Sequence, residues 1–326
     1  MTIAVLDTEA ALQALAPEWD ALWRRAGSPP FQSTAWLLPW WSAFGTAQPR
    51  VVTLRSGDAL LGLLPLYVLD EGVERKLLPI GIGITDYHDA LIDPAAPPDA
   101  ANTLLHAALA HATEDGVTSC TLAELPPGAA LLDATVPGGW REVALPDTPC
   151  PVLDVAKAVP KGMLRDLRQS RHRAERRGGW RAEIGSAADA PALWNTMLEM
   201  HRARWTARGE PGGVLADPAV IAFHERAVPR LANAGLLRMQ VLRIGGEIAA
   251  LYHTLSAPGR LFFYLSGFAS AEAFASPGTL LLGHIVEQAA ADGVAELHFL
   301  RGAEGYKHAW GAIDRFNRSR LFLPQA

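Results

Sequence analysis

One order of elements is written twice along this chain, and that repetition restricts the fold more than any other feature. In the first half, Leu12, Leu15, Trp19, Leu22 and Trp23 recur at helical spacing, which predicts a helix over 9–25 with Thr8 as its N-cap. A second helix is predicted over 33–44, carrying Trp36, Trp40 and Trp41. Strand-like runs follow at 51–55 and 59–69, joined by Ser56-Gly57-Asp58, a hairpin sequence. Further strands are predicted at 75–80 and 88–92, then a helix over 99–115, a strand at 118–124, and strands at 140–145 and 152–155. The second half begins with a basic helix over 161–177 that stops at Gly178-Gly179. It continues with a strand at 180–184, helices over 187–205 and 217–233, and strands at 236–243, 247–255 and 260–267. A helix over 279–291, a strand at 295–300 and a last strand at 316–323 complete it. Each half therefore reads as strand, two helices, three strands, helix, strand, a short helix or loop, and a closing strand. Element order repeats while residue identity does not, which implies two copies of one α/β fold, divided at 156/157 into domains 1–156 and 157–326.

Length agrees with that division, because 326 residues are about two domains of roughly 150 each. A formal charge of −5 argues against a globally nucleic-acid-binding surface. Cys120 and Cys150 have no metal-ligand spacing and make no disulfide framework, so no metal is expected. The N-terminus MTIAVLDTEA has no basic region ahead of an apolar run, and no apolar run reaches the roughly 20 residues of a membrane span. A soluble protein in the reducing cytoplasm is the expectation.

Chemistry is concentrated between 261 and 311. An aromatic strand, LFFYLSG, ends at Gly267, and after a long loop Ser276-Pro277-Gly278-Thr279 opens an apolar helix. Helix N-termini present unpaired N–H groups and a positive dipole end, which suit phosphate. Gly278 would let a ligand approach the backbone, and Ser276 or Thr279 could cap or donate; an ordinary N-cap explains the same residues. The next strand runs into FLRGAEGYKHAWG (299–311), which packs Arg301, Glu304, Tyr306, Lys307, His308 and Trp310 into one turn.

With these residues in view, the chain resembles the GNAT acyltransferases, in the branch related to CelD and FemAB proteins. The likeness rests on the element order and on SPGTLLLGHIVEQA followed by GVAELHFLRGAEGYKHAWG. It extends to PPFQSTAWLLPWWSAFG (29–45), LLGLLPLYV (60–68), ITDYHDALIDP (84–94), LRQSRHRAERRGG (167–179) and MHRARWTARG (200–209). The resemblance implies two tandem GNAT-like domains, each a mixed, mostly antiparallel sheet flanked by helices. The first would be degenerate and shape the acceptor side; the second would bind the donor and carry catalysis. The implied activity is transfer of an acyl group from acyl-CoA or acetyl-CoA to an amine by direct attack in a ternary complex. The donor would lie where two central strands of the second domain splay apart, against Leu265, Ser266 and Gly267, with its pyrophosphate at Ser276, Pro277, Gly278, Thr279 and Leu280. In the family a tyrosine after the fifth strand often protonates the leaving thiolate, which implies that role for Tyr306. Glu304 is then a base acting through water, or a group that holds Arg301 or Lys307 in position.

The expected acceptor-side residues are Asp86, Tyr87, His88, Arg204, Trp205, Arg301 and Lys307. The acceptor would be a small-molecule, lipid or sugar amine. The sequence departs from the family in having Ser-Pro-Gly-Thr where most CoA-binding members carry a Gln/Arg-x-x-Gly-x-Gly/Ala loop. FemAB-like relatives also lack that loop and use aminoacyl-tRNA, which is the alternative donor and the one setting in which a nucleic acid would be a partner. A non-catalytic GNAT-like binding protein in envelope or polysaccharide assembly is a further alternative. The arginines of 161–177 read as the solvated face of an amphipathic helix, or as a surface for an anionic partner.

Overall fold

The computed structural model describes residues 1–45, 48–207, 209, 213–270, 274 and 276–325. The chain divides into two compact units, Met1–Thr148 with Arg315–Ala326, and Pro149–Asp314. This differs from a single cut at 156/157, because each unit borrows its closing strand from the other half of the sequence.

The first unit starts with β1 (Thr2–Leu6), α1 (Glu9–Ala14), α2 (Ala16–Ala26) and α3 (Thr34–Phe44). The single helix expected over 9–25 is two, because Pro17 in the first turn of α2 has no N–H with which to continue the ladder. Then come β2 (Gln48–Ser56), β3 (Ala59–Asp70), β4 (Arg75–Pro79), β5 (Leu91–Ile92), α4 (Ala100–Glu114), β6 (Ser119–Leu125) and β7 (Trp140–Ala144). In the sheet the order is β1-β2-β3-β4-β6, continued by β14 (Ile313–Pro324), with β7 on the far side of β14. The pair β4–β6 is parallel, held at Lys76↔Ser119 and Leu77↔Cys120. One sheet face is covered by α4, whose Leu104, Leu105, Ala108 and Leu109 pack with Val52, Leu54, Leu64 and Leu66.

The second unit begins with β8 (Thr148–Asp154), α5 (Lys161–Glu175), β9 (Trp180–Ile184), α6 (Ala190–Thr206) and α7 (Pro218–Asn233). It continues with β10 (Leu237–Ile244), β11 (Glu247–Ala257), β12 (Arg260–Phe268), α8 (Pro277–Ala289), β13 (Glu296–His298) and α9 (Gly305–Ala309). Its sheet order is β9-β10-β11-β12-β13-β8, with β12–β13 parallel and the other pairs antiparallel. The expected strand at 152–155 is β8, and it closes this second sheet rather than the first. On one face, α8 buries Leu280, Leu281 and Ile285 against Leu242, Tyr252 and Phe263. A Cβ on Gly283 would stand 2.5 Å from Leu167 Cδ1, so this glycine admits α5 onto α8. On the other face, α6 approaches so closely that a Cβ on Gly267 would be 3.1 Å from the Met197 carbonyl oxygen.

Two sheets of one pattern, each with a single parallel pair at an equivalent place, make the twofold repeat read from the sequence a repeat of fold.

Candidate active site

In the second unit β12 and β13 stay together only at Arg260↔Glu296, Leu261↔Leu297 and Phe262↔His298. Beyond Phe262 the strands part. From Phe263 to Phe268, β12 pairs with β11 on one side, and among the described residues no strand pairs with its other edge. The register of β11 with β12 jumps from His253↔Leu265 to Thr254↔Phe263, so Tyr264 is the extra residue of a bulge. Bulges bend a strand and raise its twist, which turns β12 away from β13 at the place where the gap opens. Leu265, Ser266 and Gly267 lie along that free edge.

An aromatic wall lines the α8 side of the gap. Phe263 faces Phe299 at 5.3 Å between ring centroids, and Tyr252 meets Phe263 and Phe268 edge-on at 5.2 and 5.6 Å. The ring of Phe268 fills the space beside Gly278, where a Cβ would lie 2.7 Å from Phe268 Cε1. Gly278 is therefore required by a phenylalanine packed on it, which corrects the expectation that it leaves room for a ligand. Leu280, expected at the donor, sends its side chain into the core. Ser276 is in the left-handed region (φ 57°, ψ 49°), and its side chain makes no capping hydrogen bond. The first turn of α8 thus receives no side-chain cap from Ser276, and its remaining donors are the N–H groups of Gly278 and Thr279. The Arg204 guanidinium stands 5.4 Å from the Phe268 ring, which puts a positive charge on the same wall.

The turn after β13 is organised around Lys307. Its side chain is buried, with 2% of the residue exposed, and Nζ donates to the carbonyls of Arg301 (2.9 Å), Gly302 (2.8 Å) and Leu300 (3.3 Å). The Glu304 carboxylate completes the set at 2.8 Å. Leu300 (φ 58°) and Gly302 (φ 101°) take left-handed conformations to bring those carbonyls round. Lys307 is therefore a structural cation with its donors spent, neither the substrate ligand nor the solvated side chain that the sequence leads one to expect. Of the two roles open to Glu304, the arrangement is that of a group holding Lys307. Arg301 contributes its carbonyl to this turn.

Tyr306 projects from α9 with 49% of its surface exposed and its ring edge-on to Phe299, at 6.1 Å and 80°. Partial desolvation, with the Glu304 charge beside it, pushes its hydroxyl up to about 12 against the opposing pull of Arg204. Burial raises the Tyr252 hydroxyl further, with Tyr306 contributing and Arg204 again opposing. The second unit thus brings together the β12 edge, the start of α8, Arg204, Glu304 and Tyr306. Trp205, at the end of α6, donates its indole N–H to His201 Nε2 at 2.9 Å and packs against Gly213. The aromatic wall of Tyr252, Phe263, Phe268 and Phe299 went unread in the sequence. Its one signal is the aromatic spacing in LFFYLSGF, which the bulge at Tyr264 puts out of step with plain alternation.

Asp86, Tyr87 and His88 belong to the first unit and are buried there. Tyr87 meets Phe31 edge-on at 6.0 Å, the Asp86 carbonyl accepts from Asn317 Nδ2 at 2.8 Å, and the His88 N–H donates to the Glu124 carbonyl at 3.0 Å. That last bond lays the chain's own segment across the gap between β4 and β6, the counterpart of the open gap in the second unit. The cavity left there is small and lined largely by Leu64, Pro65, Pro79, Leu122, Leu125 and Leu131. No group of three or more candidate metal ligands occurs among the described residues, and no described helix is long and apolar enough to cross a membrane.

Comparison with known proteins agrees with this architecture. Residues 161–308 match the family Acetyltransf_6, described as an acetyltransferase (GNAT) domain. That stretch is most of the second unit and holds both the splayed strands and the Tyr306 turn, so it is the second unit that matches a GNAT acetyltransferase domain. No curated protein matches the chain by sequence. Among solved structures the chain is similar to FemX, with a TM-score of 0.67 and 10% identity over 98% of this chain and 97% of that one. It is also similar to L-PGS from Bacillus licheniformis, with a TM-score of 0.59 and 14% identity over 94% and 91%. The C-terminal domain of a putative lysylphosphatidylglycerol synthetase from Agrobacterium fabrum aligns with a TM-score of 0.53 and 16% identity over 85% and 84%. At these identities the likeness is one of fold.

Proposed function

We propose that the second unit is an acyl-CoA-dependent N-acyltransferase domain that moves an acyl group from a thioester to an amine. The observation that carries this is the unpaired β12 edge beside a helix start without a side-chain cap, with a protonated tyrosine across the gap. An acyl-CoA carries its thioester on a pantetheine arm with two amides, joined through a pyrophosphate to an adenosine, and the two features fit the arm and the pyrophosphate. The amides would pair with the β12 backbone at Leu265, Ser266 and Gly267. The phosphates would meet the N–H groups of Gly278 and Thr279, favoured by the helix dipole and the Arg204 charge. The counterpart gap in the first unit is crossed by its own chain at His88, which supports a single donor site.

In the reaction the neutral amine nitrogen attacks the thioester carbonyl and forms the C–N bond. The C–S bond breaks so that the sulfur leaves as thiolate, and the proton shed by the nitrogen returns through water to the Tyr306 oxygen after that group has given up its own. Tyr306 donates its hydroxyl proton toward the sulfur as that bond breaks. A hydroxyl near 12 remains protonated throughout neutral pH, so the donor is always in its active form. Desolvation, helped by the Glu304 charge fixed on Lys307, keeps it protonated, so Glu304 acts as a positioning residue. Holding both substrates together supplies most of the remaining acceleration, and no covalent intermediate is needed. Arg204, Trp205 and Arg301 of the second unit remain the proposed acceptor-side residues, whereas Asp86, Tyr87 and His88, buried within the first unit, are not among them, and the acceptor is proposed to be a lipid, sugar or other small amine.

Isothermal titration with CoA, acetyl-CoA and longer acyl-CoAs tests the donor assignment. One binding site per chain is expected; no heat with any of them would sink it.

A further inference from the structure

The outer face of α5 has no role in the chemistry above. Residues 161–177 hold seven Arg or Lys against two acids, a net +5 within a chain whose total is −5. The helix buries Leu167, Ser170 and Ala174, and Arg171 is drawn down to an ion pair with Glu287 on α8. That fixes which side faces outward. Lys161, Leu164, Arg165, Arg168, His172 and Arg176 then recur at intervals of three and four, one stripe along a helix about 22 Å long. All six are exposed. Arg165 reaches only its neighbour Asp166, at 3.7 Å, and Lys161, Arg168 and Arg176 have no acidic partner among the described residues. Elsewhere the chain pairs its cations readily, as Arg25 does with Asp93, Arg50 with Asp115, Arg55 with Glu18 and Arg320 with Glu142. A row of unpaired like charges costs self-repulsion on a surface that has acids to spare, so it is explained by something anionic outside the molecule.

We propose that this face of α5 docks on an anionic lipid bilayer surface. The stripe carries no aromatic side chain, whereas single-stranded nucleic acid is held in grooves with exposed rings for stacking. Along the same face Leu164 is 41% exposed between Lys161, Arg165 and Arg168, His172 and the exposed Glu175 lie further on, and Ile184 at the end of the edge strand β9 is 50% exposed. Cations interleaved with isolated aliphatic side chains match a headgroup layer, where each Lys or Arg near the surface strengthens binding roughly five-fold. The apolar side of α5 is committed to α8, so the helix lies on the headgroups without inserting. This proposal does not depend on the transferase reading.

Vesicle co-sedimentation of the full chain tests it, with phosphatidylcholine vesicles alone and with vesicles containing 40% phosphatidylglycerol, at 0.1 M and 0.5 M salt. Binding is expected only to the anionic vesicles, and to be lost at high salt. The triple variant K161Q/R168Q/R176Q should bind on the order of 100-fold more weakly, while R168K/R176K, which keeps the charge, should bind as the parent does. Circular dichroism melting of both variants should be unchanged, since all three side chains are exposed. Equal partitioning to neutral vesicles, or no loss in the triple variant, overturns the proposal. So does a short RNA that binds through the same three residues while anionic vesicles do not bind.

Discussion

Replacing Lys307 by methionine separates a structural cation from a substrate ligand. Four acceptors surround Nζ: the carbonyls of Gly302 (2.8 Å), Arg301 (2.9 Å) and Leu300 (3.3 Å), and Glu304 Oε2 (2.8 Å). A hydrogen bond to a charged group contributes about 1.5–3 kcal/mol. Two of the carbonyl bonds are short and one is long, so their joint loss should cost about 3 kcal/mol, taking the low end for each short bond. The Glu304 share is smaller: its side chain is 59% exposed and regains water when the lysine is gone, which limits the ion pair to about 1 kcal/mol or less. Methionine fills most of the volume and adds no large cavity. Lys307→Met should therefore lower stability in urea by about 3 kcal/mol at unchanged m, and lower the melting temperature by about 6–12 °C. Glu304→Gln should cost under about 1 kcal/mol. A K307M protein as stable as the parent but without turnover would refute this, and would return Lys307 to the substrate.

Four other outcomes follow from the same geometry. Tyr306→Phe should reduce turnover by about 100-fold or more while donor affinity stays within about two-fold; unchanged turnover would remove Tyr306 from the chemistry. Gly278→Ala should lose about 1–3 kcal/mol despite alanine's better helix propensity, because the new Cβ meets the Phe268 ring at 2.7 Å, and combining it with Phe268→Leu should recover part of the loss. His253 is fully buried and held down to about 3, and burial together with His253 holds His224 well below its usual value. The unfolded chain therefore binds the extra protons, and stability is full above about pH 6.5 and falls as pH drops below it, by about 2.5 kcal/mol for the two rings at pH 5.5; urea titrations at pH 7.5 and 5.5 that coincide would contradict this. A fragment 149–314 should fold, whereas 157–326 should not, because the second lacks the β8 residues paired with Glu296, Leu297 and His298; proton-amide spectra distinguish the two.

The twofold order was legible because helical and strand periodicities survive in each half, and the glycine and proline punctuation falls between elements. Strand exchange was not legible. Residues 148–154 and 313–324 read as ordinary strands, and only partners distant in sequence decide which sheet each one closes. Within the site, Tyr306 and Glu304 stood out by type and spacing, and the gap beside them came with the family resemblance. The misread residues are those whose chemistry is set by burial. Lys307 looks like a surface lysine until three carbonyls curl onto it, and Gly278 looks like a ligand cradle until Phe268 occupies it. The first reversal depends on the turn at Leu300 and Gly302, whose left-handed conformations the residue types only partly announce, and the second on where the end of β12 sets the Phe268 ring.

Hydrogen exchange on the full chain, with and without acetyl-CoA, bears most directly on the donor assignment. Protection should rise in β12 from Phe263 to Phe268 and in the first turn of α8, with the β4–β6 region of the first unit unchanged. Protection confined to the first unit, or none anywhere at saturating acetyl-CoA, would contradict it.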